Sequence, residues 1–384
     1  MLPSESLWQS HADPALVREI RAYAAKNIAP VADELDRRDL YATEIVKNMA
    51  AQGFNTISLP KQFGGREEPY SASVAVCEEV GYASAGVAIS LITIFQAQTM
   101  MNLFGADSLK QRYLPRFAKG LISSYALTEA SHGSDIRHLD TKARHEGNGW
   151  VLNGEKSFIT SGSAAEFFVI LAETPHGVSV FAVPRDTPGV SDYEGPDSAT
   201  FGLRNGPHVN IRLTDVRLPF DHLIGTEGKG LRQAMTTLDY SRTLAAGISL
   251  GIARAAFDAA LLHVSRRVAF DQKVLEFQGI QWYFADMLTQ IDAARLLVYR
   301  AAKALDTHEN VLRYGSEAKL FASAVATEVA SKAVQVCGAY GTRMNAPFGR
   351  YFRDAKVYEI GGGSSEILRN TIGKHLLGLL KEPA

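Results

Sequence analysis

Between Asp13 and about Gly120 the apolar positions recur at helical spacing. In PALVREIRAYAAKNIAPVADELDRRD they fall at Leu16, Ile20, Ala24 and Ile28, one stripe with charges opposite, which predicts an amphipathic helix. Pro14 suits a first helical turn and Pro30 interrupts the pattern. LPKQFGG reads as a loop, and YSASVAVCEEVGYAS resumes the helical period. From about Leu121 to Gly225 the pattern changes to short β-branched and aromatic runs: WVLNGEKSFIT, FFVILAET, VSVFAVP and HVNIRLTDVRL. These predict antiparallel strands, and Asn153-Gly154 between apolar runs predicts a hairpin turn. From Leu231 the helical period returns over stretches far longer than an average helix, lengths that suit a bundle. The order gives an α+β chain with an N-terminal all-α domain (1–120), a central antiparallel β domain (121–228) and a C-terminal helical bundle (229–384).

Charge changes this picture little. Among 384 residues, 40 basic side chains stand against 41 acidic ones, so nothing favours nucleic acid or an anionic membrane as partner. Two cysteines, Cys77 and Cys337, are too few for a disulfide framework or a thiolate metal site and read as buried small hydrophobes. No metal site is expected. The N-terminus has neither a basic leader nor an apolar core, and no run reaches the ~18 apolar residues of a membrane span. These features predict a soluble, reduced, cytoplasmic protein.

Five stretches have chemical potential. YALTEASHGSD (125–135) runs from a strand into small and hydroxyl residues whose amides and side chains suit a polar heterocycle or a phosphate, although a simple turn has the same composition. FIT (158–160) sets an aromatic beside a hydroxyl. SRRVAFDQKVLEFQGIQ (265–281) places Arg267, Phe270 and Gln278 around a helix break, where a guanidinium suits a pyrophosphate or complements the helix dipole. QVCGAYGTR (335–343) offers Gly338 and Gly341 for close backbone approach or a helix cap. VYEIGGGSSEIL (357–368) ends a helical pattern on three glycines. Neither a Gly-x-Gly-x-x-Gly fingerprint nor a Walker loop is present.

Taken in order, these stretches resemble the acyl-CoA dehydrogenase family over nearly the whole chain. LTEASHGSD is similar to its Thr-Glu-Pro-x-Ala-Gly-Ser-Asp signature, FIT to Trp-Ile-Thr, RVAFDQ to Arg-x-x-Phe-Gly, and QVCGAYG with YFRDAKVYEI to the C-terminal signature. The resemblance implies a C-terminal four-helix bundle, with FAD lying between it and the β domain. It implies flavin-ring and ribityl contacts from Leu127, Thr128, Gly133, Ser134, Phe158 and Thr160. Pyrophosphate and adenine contacts would come from Arg267, Phe270, Gln278, Gln335 and Gly338, largely across a subunit boundary, so a homo-oligomer, dimer or tetramer, is expected. Ser364 matches a flavin-contacting threonine, and Glu366 is assigned to the cofactor with it. Ser134, Asp239, Arg242 and Gly362 are assigned to the substrate. The implied reaction is FAD-dependent α,β-dehydrogenation of an acyl thioester, on coenzyme A or a carrier protein, with electron-transfer flavoprotein or oxygen as acceptor.

The departures are specific. Gly362 stands where the family's glutamate base usually lies, and Ser241, in LDYSR, stands at its alternative position. Asp239 and Glu359 are the nearest carboxylates in sequence and the candidate catalytic residues; Thr93, Gln96 and Gln98 of SLITIFQAQ are poor bases. A base-independent reaction, such as oxygenation or elimination, and a flavin-binding subunit of a heteromer are the alternatives. Ala130, His132, Asp271 and Ala339 also depart from the signatures, His132 being read as a packing or hydrogen-bonding residue.

Overall fold

The computed structural model describes residues 12–195 and 198–379; the reading of the N-terminus as leader-free rests in part on residues 1–11, outside that range. Asp13 caps α1 (Pro14–Asn27), its carboxylate accepting the Ala15 N–H at 2.8 Å, and Pro14 takes the first position, where no N–H is needed. The predicted stripe of Leu16, Ile20, Ala24 and Ile28 is buried. Pro30 lies in a single 3-10 turn before α2 (Ala32–Arg38). The helices α3 (Thr43–Ala51), α4 (Tyr70–Ala83), α5 (Ala85–Phe104) and α6 (Asp107–Ala118) complete this part.

An eight-stranded sheet follows: β1 (Ser123–Ala126), β2 (Lys142–Glu146), β3 (Gly149–Ile159), β4 (Phe167–Thr174), β5 (Gly177–Pro184), β6 (Val190–Tyr193), β7 (Val209–Pro219) and β8 (Leu223–Ile224). Its order is β6-β7-β3-β2-β4-β5-β8, with β1 beside β4. The sheet is mixed, whereas its sequence predicts antiparallel strands only. Both β1 and β2 run parallel to β4 and share one of its edges, because the long 127–141 loop between them lets the chain return in the same direction.

The predicted turn at Asn153-Gly154 is also displaced. Those residues lie inside β3, where the register against β7 slips between Leu152 and Gly154. Gly154 is required there because a Cβ would lie 2.5 Å from the Thr141 Cα. The turn falls instead at residues 147–148, opened by Gly147 at φ +60° between the paired Glu146 and Gly149.

The 37-residue α7 (Gly230–Arg266) leads through a small hairpin, β9 (Val268–Ala269) and β10 (Gln272–Lys273), to α8 (Gln278–Thr307), α9 (Val311–Cys337), α10 (Phe348–Tyr358) and α11 (Ser365–Leu379). Gly251 lets α7 touch α4 directly, since a Cβ there would meet the Glu78 carbonyl oxygen at 2.3 Å. Along this seam Arg254 donates to Glu78 at 2.7 Å and Glu79 at 2.8 Å, Arg21 donates to Glu79, and the Tyr299 hydroxyl donates to Glu78 at 2.6 Å. This buried network ties α1, α4, α7 and α8 together. Both cysteines are buried and unbridged.

Among the described residues three segments, Ala85–Phe104, Gly230–Arg266 and Val311–Thr342, have the length and mean hydropathy of a membrane span, contrary to the expectation that none would. Their apolar character has another use: 72% and 89% of the first two windows is buried within the protein, as core helices require.

Candidate functional site

The first group of site residues gathers where β1 ends and β3 ends. The Ser157 N–H donates to the Thr128 carbonyl at 2.9 Å, and the Ser124 hydroxyl donates to the Thr160 carbonyl at 2.6 Å, so the 127–134 loop is clamped to the FIT stretch. Lys156 strengthens the clamp, donating to Glu129 at 2.7 Å and to the Leu127 carbonyl at 3.2 Å. Burial alone would raise the Glu129 carboxyl, but Lys156 and the Asp140 and Thr141 amides hold it below its ordinary range. Burial pushes the Lys156 ammonium down to about 8. Glu129, His132 and Asp140 converge at metal-ligand spacing, yet Lys156 already supplies a cation to Glu129. The His132 Nε2 is 3.6 Å from Asp140. Around this clamp Phe158 is half exposed at φ +56°, and Gly133 has open space where a Cβ would stand. Ser134 is exposed beside it.

The second group lies at the far end of α7. Arg267, Gln335 and Gly338 line one cavity of about 540 Å³, together with His263 and Tyr340, whose rings stack at 4.3 Å. Gly338 is needed at φ +57°, and its Cα faces open space. Phe270 and Gln278 do not line this cavity. The helix break expected at 265–281 is the β9–β10 hairpin, with Phe270 and Asp271 as its two turn residues at φ +52° and +61°. Phe270 is carried out to 91% exposure, and Gln278 begins α8 at the surface.

The third group surrounds the glycines. Gly362 has φ +71° and Gly363 φ +104°, and nothing lies within 4 Å of a Cβ built on Gly362. Arg242 is buried and donates from Nη1 to Asp239 at 2.6 Å; its Nε has no partner and lies 3.7 Å from a Cβ built on Gly363. Burial raises the Asp239 carboxyl to about 6 against the pull of Arg242. Lys319 of α9, fully buried, donates to the Gly363 carbonyl at 2.6 Å, and burial with the nearby Arg242 charge pushes its ammonium down to about 7. Glu359 ends α10 with its carboxylate on Lys356 at 3.0 Å. Ser364 accepts the Ile367 N–H at 3.4 Å at the start of α11, and Glu366 is exposed. Ser241 donates to the Leu238 carbonyl one turn back in its own helix.

A second cavity, of about 270 Å³, opens among α4, α5, α7 and the end of α8, lined by Tyr70, Phe95, Thr99, Leu103, Tyr240 and Leu305. Gln98 lines it too but spends its amide on the Asn55 carbonyl at 2.8 Å, while Thr93 donates to the Ser90 carbonyl.

Models of the acyl-CoA dehydrogenase N-terminal, middle and C-terminal domains match residues 10–121, 124–216 and 228–377. Probable acyl-CoA dehydrogenase fadE25 of Mycobacterium leprae is 36% identical over 367 residues, 93% of each chain. The chain belongs to the acyl-CoA dehydrogenase family. Short-chain specific acyl-CoA dehydrogenase of Homo sapiens mitochondria is also 36% identical, over 94% of this chain and 89% of its own. The solved butyryl-CoA dehydrogenase of Megasphaera elsdenii superimposes with a TM-score of 0.92 at 31% identity, covering 97% of this chain and 99% of its own. Acyl-CoA dehydrogenases are FAD-dependent oxidoreductases, and this chain is one of that class.

Three participants escaped sequence reasoning: Glu129 and Lys156, which lock the loop, and Lys319. A signal existed for the last. Lys319 sits in the small-residue stripe Gly315, Ala318, Ala322 and Ala326 on the buried side of α9, where a cation needs a reason.

Proposed function

We propose that the protein catalyses α,β-dehydrogenation of an acyl thioester, carried on coenzyme A or a carrier protein, with Asp239 as base. The observation that carries this reading is Asp239 itself: a largely buried carboxyl at about 6, ion-paired to Arg242, whose Nε lies 3.7 Å from a Cβ built on Gly363, the residue after the open Gly362. A base near neutrality in a desolvated corner is what abstraction of an α proton requires. Both carboxylates are ion-paired, Asp239 to Arg242 and Glu359 to Lys356; Glu359 is the weaker candidate because it is the more exposed of the two.

The residues fit FAD. A half-exposed Phe158 and the open Gly133 suit a planar ring, with Leu127, Thr128, Ser134 and Thr160 on the same clamped loops. The cavity of Arg267, Gln335 and Gly338 suits a pyrophosphate and adenine, with Phe270 and Gln278 at the surface to cover the cofactor of a neighbouring subunit, and Ser364 and Glu366 at the start of α11 to reach it. FAD supplies the hydride acceptor; the chain's own work is to hold the thioester, exclude water and take the proton. The second cavity gives an acyl chain room beside Tyr240, the residue after Asp239. A homo-oligomer and an electron-transfer flavoprotein or oxygen as acceptor belong to the same proposal.

Anaerobic mixing with a panel of acyl thioesters tests it. Bleaching of the flavin supports dehydrogenation. Bound thioester without bleaching, together with oxygen-dependent turnover of chemically reduced flavin, replaces it with base-independent chemistry, which the open space at Gly362 would also accommodate.

A further inference from the structure

We propose, on the reading of an acyl-thioester site, that the glycine corner is an anion subsite and that the preferred acyl group bears a carboxylate close to its thioester. Two buried cations converge there. Lys319 reaches the Gly363 carbonyl at 2.6 Å, and the Arg242 Nε, enclosed and without a partner, points to within 3.7 Å of where a Cβ on Gly363 would be.

Their counter-charge is incomplete. Asp239 on α7 takes the Arg242 Nη1. Among the described residues no carboxylate comes within 4.0 Å of the Lys319 ammonium. Glu359 on α10 acts on it from a distance but is paired with Lys356 at 3.0 Å, and Glu366 on α11 is exposed and 3.8 Å from Arg369. Buried charge without a partner is strongly unfavourable, and burial with the Arg242 charge accordingly brings the Lys319 ammonium down to about 7; a ligand anion would complete an arrangement with two cationic side chains to one carboxylate and hold Lys319 charged.

The geometry gives that ligand a place. Gly362 leaves open the space in which the relatives' signature sets a side-chain carboxylate, and a substrate oxyanion reaching from that space to the Gly363 side of the corner, where the Arg242 Nε lies 3.7 Å from a Cβ position, would accept its N–H. A neutral acyl group filling the same space would leave that buried donor unsatisfied, which gives the corner a means of rejection as well as attraction.

The test measures binding apart from turnover. Two thioesters without hydrogen on the β carbon, one ending in a carboxylate and one in the isosteric carboxamide, are titrated into holoenzyme by calorimetry. The carboxylate is expected to bind at least ~10-fold more tightly, the effect of one charge-assisted hydrogen bond gained. Arg242→Gln should cut that ratio to below about threefold, and Lys319→Met should lower it in part. Equal or weaker binding of the carboxylate by wild type overturns the inference, and wild type decides alone if either variant fails to fold. An undiminished ratio in both variants overturns it too. If neither ligand binds and oxidisable neutral thioesters leave the flavin unbleached, the thioester reading falls with it. If neutral thioesters bleach the flavin and the ratio is near one, only the anion subsite falls.

Discussion

Asp239 is charged and able to accept a proton only above the value to which burial raises it. Flavin reduction should therefore rise with pH through about 6 and level off above it. Asp239→Asn should remove that limb and slow reduction ~100- to 10,000-fold while thioester binding stays near wild type. A Glu359→Gln variant that alone reproduced this loss would transfer the role. The neighbouring glycines make a second prediction. Gly362 holds a left-handed backbone in open space, so Gly362→Ala should meet no clash yet cost about 1 kcal/mol in strain, lowering Tm by a few °C. Gly361→Ala, at an ordinary φ with its nearest contact at 3.5 Å, is the matched control and should be near neutral. A restored glutamate at 362 therefore has room but not the backbone, so gain of flavin reduction there needs the corner to readjust.

At the scale of elements, the β9–β10 hairpin is the informative one. Its turn asks two non-glycine residues to adopt left-handed backbone, and Asp271 stands where the family's motif has glycine. Asp271→Gly should raise stability by up to about 1 kcal/mol, measured by denaturant unfolding. Phe270→Ala should leave the unfolding of flavin-free protein unchanged but speed FAD loss, because the ring is 91% exposed and packs on little of its own chain. Arg267→Ala should weaken FAD retention by ~1.5 to 3 kcal/mol, read by equilibrium dialysis of the flavin. A variant that keeps its full complement would remove Arg267 from the cofactor site. The residue types around this hairpin were readable in sequence, but the hairpin was not: two-residue strands have no period to detect.

For the molecule as a whole, the α1–α4–α7–α8 network is the stability prediction. Arg254→Met would strand Glu78 and Glu79 without their common guanidinium and should cost about 3–5 kcal/mol, seen as a lowered unfolding midpoint. The pH dependence has a definite sign. Burial alone would raise the Glu79 carboxyl, but Arg254 and Arg21 bring it below its ordinary value of 4.5. Its contribution is thus present above that value and lost as pH falls through the lower folded one, so wild type should lose more stability on acidification than Arg254→Met.

Sequence by itself determined the order of helices, strands and helices, because the 3.6 and 2.0 periods are local properties that survive without a partner. It also determined the family motifs and the absence of glutamate at 362 and 241. Tertiary structure decided what depends on distant segments meeting. The 127–141 loop lets β1 and β2 share an edge of β4, giving a mixed sheet. Close approach of Thr141 makes Gly154 a bulge instead of a turn. The apolar helices α5 and α7, of membrane-spanning length, become core because neighbours cover them. At the glycine corner, Lys319 and Arg242, far apart in the chain, are both brought to Gly363, one at its carbonyl and the other 3.7 Å from a Cβ built on it, and only that convergence gives the missing glutamate a physical context. Charge balance in a buried site is a sum over groups from three or four helices, a sum that no single stretch of sequence contains.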